Sequence, residues 1–129
     1  MAKPKDLSSI PAVEAVMAPG AGPAIIDFWA PWCAPCRAMA PQFEAVAHRY
    51  EGQPVAFYKV NTDAHPELAA PFHVQALPTT ALVMDGQIVD VVVGAMDADR
   101  LTKKVEWLLS KHRGESWWTR LTGRKAASA

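Results

Sequence analysis

The chain has no net charge, no long apolar run, no internal repeat and only two cysteines. Each scarcity removes a class of function. Thirteen basic residues balance thirteen acidic ones, so no global field draws the protein to nucleic acid or to anionic lipid. The N-terminus is basic, but residues 10–22 are interrupted by Pro11, Glu14, Pro19 and Gly20. That leaves neither a signal-peptide core nor a membrane span, and the compartment expected is the cytoplasm. Dithiols there stay mostly reduced and serve chemistry or metal binding. Two cysteines three positions apart also make a poor staple, because the loop they close barely constrains the unfolded chain.

What is present is one domain's worth of residues, 129 in all and 50% hydrophobic, enough to bury a core unaided. Ser9 caps a short helix over 11–18, which Pro19 to Pro23 then stops. Ala24 to Ala30 is nearly all apolar and predicts a central strand buried on both faces. Met39, Phe43, Val46 and Ala47 recur at helical spacing within 34–50, with a kink expected at Pro41. Pro54 to Val60 predicts a second buried strand, and a short helix follows around Pro66 to Phe72. The runs 79–84 and 87–93 flank Asp85-Gly86, a pair that accepts positive φ and signals a hairpin. Asp97 and Lys111 suit the two ends of a last helix. Strands separated by helices imply parallel crossovers, and the hairpin adds an antiparallel edge. The fold class is therefore α/β, with a central mixed sheet of four to five strands flanked by helices.

Both cysteines lie in Trp32-Cys33-Ala34-Pro35-Cys36, where a buried strand gives way to a helix. A helix N-terminus offers unpaired N–H groups and partial positive charge, and both favour a thiolate, the nucleophilic form. Cys36 is one turn along on the same face, within reach of Cys33. Cys33 is thus expected to be the exposed attacking thiol and Cys36 the sheltered one that resolves the mixed disulfide. Pro35 fixes φ within the turn and stiffens the pair.

Other chemistries use the same spacing. Structural zinc needs four ligands, and there is neither a second cysteine pair nor ligand spacing among His48, His65, His73 and His112. A c-type haem needs histidine after the second cysteine, where Arg37 stands. A zinc deaminase needs H-x-E upstream of P-C-x-x-C; His65-Pro66-Glu67 lies downstream. No metal and no bound cofactor is expected, since the redox-active group is the Cys33–Cys36 pair itself.

The segment Phe28 to Arg37 resembles the active-site segment of the thioredoxin family. Leu77-Pro78-Thr79 resembles its cis-proline loop, Asp85-Gly86 its hairpin, and Val93-Gly94-Ala95 the strand end beside the site. The likeness covers roughly residues 7 to 111 in the family's order and implies a thioredoxin-like fold. Thioredoxins are themselves the standard example of a thiol made acidic in this setting and of a poised dithiol couple.

The resemblance implies further roles. Pro78, if cis, lies against the dithiol and leaves the backbone at Leu77 free to pair with a substrate strand. Asp27 interrupts an apolar strand; from the residues alone it is either a buried carboxyl of raised pKa or a strand-end residue open to solvent. The resemblance favours the first and implies that it exchanges a proton with Cys36, with Lys59 nearby. Trp29 is expected to pack and Trp32 to face partners. Gly94 and Ala95 are expected to admit a partner backbone closely.

Three departures from the family pattern stand out. Ala34 occupies the place of the glycine usual between the cysteines. The first strand is expected to be short or absent. Residues 113–129 form an extension beyond a domain of residues 1–112, with Trp117, Trp118, Arg120, Leu121, Arg124 and Lys125. It is expected to be frayed in part or folded back on the body. The function implied is a general reductase of protein disulfides, monomeric, serving electron transport and cell redox homeostasis. A thioredoxin reductase drawing on NADPH is the implied electron source. A disulfide isomerase or oxidase, or an interaction and assembly module using the same groove, are the alternatives.

Overall fold

A computed structural model describes residues 3–114. The expectations for the tail from Trp117 to Lys125 lie outside the described residues. Five strands form one sheet: β1 (Lys5–Asp6), β2 (Ala24–Trp29), β3 (Ala56–Asn61), β4 (Thr79–Met84) and β5 (Gln87–Val93). Their order is β1-β3-β2-β4-β5. The helices are α1 (Ile10–Val16), α2 (Ala34–Arg49), α3 (Pro66–Ala69) and α4 (Ala98–His112).

β2 is central, which is why its first five residues are all buried. Alternation along the strand divides them between two cores. Ile25, with Leu82 and Val92, packs under Phe43 and Val46 of α2 and Leu101 and Val105 of α4. Ile26 and Phe28, with Val60 and Ala81, pack under Val13 and Val16 of α1 and Leu68 of α3. Helices therefore cover both faces, and each fully buried large side chain contributes about 1.5–3 kcal/mol.

Local chemistry sets the ends of these elements. The Ser9 hydroxyl accepts the Ala12 N–H at the start of α1, and the Asp97 carboxylate accepts the Arg100 N–H at the start of α4. In the β4–β5 hairpin Asp85 and Gly86 have φ of 54° and 76°. A Cβ at Gly86 would also lie 2.9 Å from the Met17 carbonyl oxygen, so glycine is required twice over.

One expectation is corrected. The crossover into β4 was expected to be parallel, yet β4 runs antiparallel to both of its neighbours, β2 and β5, and is the one reversed strand of the five. The first strand, expected to be short or absent, is short: it has two residues, both exposed, paired with Tyr58 and Lys59. α2 runs as one helix that contains Pro41, over the residues expected.

Candidate active site

The C-terminal end of β2 hands the chain directly to α2, and the two cysteines sit at that junction. Cys33 is the N-cap of α2, in extended backbone, and its Sγ accepts the Cys36 N–H at 3.3 Å. Pro35 falls in the first turn, where a missing N–H costs nothing. Cys33 and Cys36 are joined in a disulfide with Cα atoms 5.3 Å apart, within the usual span. The Arg37 guanidinium donates to the Pro31 carbonyl at 2.8 Å and ties the loop before Cys33 to the helix after it.

Cys33 is not exposed in this state: it is 5% accessible, against 2% for Cys36. Its sulfur turns back over the helix N-terminus, and Ala30, Trp29 and Leu77 close around the pair. The expected difference between the thiols survives only as a small bias. The exposed rim is made by Trp32, Ala34 and Pro35. Trp32 is 68% exposed, and its indole N–H donates to the Asp63 carboxylate at 3.3 Å.

The Leu77–Pro78 peptide is cis. Leu77 packs against the disulfide, while Pro78 is buried and its carbonyl accepts the Gly94 N–H at 2.8 Å. That bond joins the 77–78 loop to the end of β5. Gly94 has φ of 101°, nothing lies within 4 Å of where its Cβ would be, and Ala95 beside it is exposed. A groove of about 470 Å³ runs from Trp32 past Thr62, Pro66, Val74 and Ala76 to Leu77.

Beneath this surface Asp27 is 1% exposed, which decides between the two readings of this residue. Burial pushes its carboxyl up to about 6, against a smaller lowering by Lys59. Lys59 is its register partner on β3, with its ammonium 4.7 Å from the centre of the Trp29 ring. Trp29 itself is half-buried, as a packing residue would be. Asp27 shares the α2 side of the sheet with Ile25, two residues before it.

Sequence reasoning missed three residues here. Arg37 braces the loop, Asp63 holds the Trp32 indole, and Thr80 places a fully buried hydroxyl on β4 opposite Asp27. Only Thr80 left a signal: like Asp27, it is polar within an apolar strand. Among the described residues no group of three or more His, Cys, Asp or Glu side chains could hold a metal ion, and no helix is long and apolar enough to cross a membrane.

Residues 12–107 match the family model described as Thioredoxin. Thioredoxin 1 of a Nostoc species is 43% identical over 84 residues, covering 65% of this chain and 78% of that protein. The M-type chloroplastic thioredoxin of Spinacia oleracea is 38% identical over 88 residues, 68% of this chain and 48% of that one. Among solved structures, thioredoxin of Malassezia sympodialis superposes with a TM-score of 0.75 at 32% identity, covering 84% of this chain and 95% of that one. Oxidised mitochondrial thioredoxin 3 of Saccharomyces cerevisiae gives 0.72 at 30% identity, over 81% and 95% of the two chains.

Proposed function

We propose that this chain, which belongs to the thioredoxin family and is a thiol–disulfide oxidoreductase, works as a general reductase of protein disulfides. The observation that carries the reading is the Cys33–Cys36 disulfide at the N-terminus of α2, at the head of an open groove beside an exposed tryptophan. In the reduced protein the helix N-terminus favours the Cys33 thiolate, which attacks one sulfur of a substrate disulfide and expels the other as thiolate. Asp27 takes the proton of Cys36. The Cys36 thiolate then attacks Cys33 Sγ, the mixed disulfide breaks, and the substrate leaves with its second thiol. Two electrons pass from the dithiol to the substrate, so no bound cofactor is required.

The substrate chain is held by its backbone at Leu77, beside Pro78, Gly94 and Ala95, and by apolar contact with Trp32, Ala34 and Pro35. Leu77 is partly exposed and lines the groove beside Trp32, which supports this reading. A thioredoxin reductase drawing on NADPH recharges the pair, and the protein acts as a cytoplasmic monomer in electron transport and cell redox homeostasis. An insulin-reduction assay with a supplied reductant tests it. Turnover that disappears in Cys33→Ser supports the reductase. A wild-type protein inactive in that assay would instead favour an interaction module or, if it oxidised reduced substrates, a disulfide donor.

A further inference from the structure

Thr80 is 0% exposed and Asp27 1%, and they are direct register partners across the antiparallel β2–β4 pair. Both look toward α2, because Ile25 and Leu82, two positions along each strand, pack in the core beneath α2 and α4. Opposed residues in such a pair have Cβ atoms about 4.5–5.5 Å apart. Thr80 Oγ1 and Asp27 Oδ1 are nonetheless both buried without a hydrogen-bond partner in the oxidised protein. An unpaired buried hydroxyl is costly, and valine would fill the same space at no such cost.

We propose that Thr80 is the positioning residue for the proton that Asp27 exchanges with Cys36. The inference rests on the reading of Asp27 as the base for Cys36. A hydroxyl donates and accepts, so it serves both states of the carboxyl. It donates to the carboxylate while Asp27 waits for the Cys36 proton, and accepts from the acid once the proton has moved. A χ1 step of Thr80 or one bridging water closes the gap between the two oxygens. Other groups facing Asp27 cannot play this part. Lys59 on β3 donates only, and its ammonium lies over Trp29. The α2 side presents Cys36, which is the reaction partner. On β5 and α4, Asp90 and Lys104 pair with each other at 2.8 Å.

The test is the titration of the Asp27 carboxyl carbon by carbon-13 NMR in the reduced protein, where the proposal places the Thr80 bond, with the pH profile of mixed-disulfide release in single turnover. In Thr80→Val the carboxylate loses a donor. Its midpoint is expected to rise by about one pH unit, tenfold in the ratio of its two forms, and the release profile to move up with it. Thr80→Ser keeps both near wild type; Thr80→Ala, a second variant without the donor, repeats the shift. A midpoint unchanged in both donor-less variants overturns the proposal while Asp27→Asn still slows release. If Asp27→Asn leaves release unchanged, the base assignment itself fails, and the proposal with it.

Discussion

The Lys59 ammonium lies over the Trp29 ring, 4.7 Å from its centre, and forms no ion pair with Asp27, its neighbour across β2 and β3. The cation is near enough to lower the carboxyl somewhat, but burial wins and holds it near 6. A carboxyl so poised is half-ionised near pH 6 and keeps a protonated fraction at neutral pH, which suits a group that must both take and return a proton.

The same shift governs stability. The folded carboxyl titrates near 6 and the unfolded one near 3.8, so the folded state binds the extra proton between those values. The stabilisation is complete below pH 3.8 and is lost as pH rises through 6. Relative to Asp27→Asn, the wild-type disulfide form is expected to lose about 2 kcal/mol between pH 4 and 7. Denaturant titrations of both proteins across that range check it; parallel curves would place Asp27 in an unperturbed setting.

Removing the resolving thiol is expected to stop the reaction halfway. Cys36→Ser accumulates a mixed disulfide between Cys33 and a protein substrate, and Cys33→Ser accumulates none. Non-reducing electrophoresis with mass spectrometry of the adduct reads the result. Trapping through Cys36 would reverse the two roles.

Trp32 is 68% exposed, so its truncation leaves the fold almost untouched, with a change in stability within about 0.5 kcal/mol. Its loss is expected in substrate capture: Trp32→Ala raises KM for a protein disulfide about tenfold, equivalent to about 1.4 kcal/mol. Steady-state assays and the redox potential of the pair separate this from a change in the dithiol, which is expected to hold its potential.

Two glycines of positive φ predict unequal penalties. Gly86→Ala must strain φ and push its Cβ onto the Met17 carbonyl, which predicts a loss of about 2–4 kcal/mol. Gly94→Ala meets open space and carries only the backbone strain, about 1–2 kcal/mol. Thermal or urea unfolding of the two variants gives the ranking.

What the sequence made legible was local. The β4–β5 hairpin, the caps at Ser9 and Asp97 and the dithiol at the start of α2 follow from neighbours within a few residues. The direction of β4 did not, because it depends on how 70–78 turns back to the sheet rather than on any periodicity. The burial of Cys33 was equally hidden, since Leu77, more than forty positions away, closes over it. Asp27 announced itself by interrupting an apolar run, whereas the partnership of Trp32 with Asp63 exists only once α2 and the end of β3 are side by side.

Pro41 has no N–H to offer the Arg37 carbonyl, so α2 loses a rung one turn beyond the cysteines. The turn that carries the sulfurs is held in front by the Cys33 cap and the Arg37 brace, and behind by a weakened joint. The rear of the helix, anchored by Phe43, Val46 and Ala47, is a fixed mount. The missing rung at Pro41 thus divides α2 into a front turn that carries the sulfurs and a rear that is packed on the sheet.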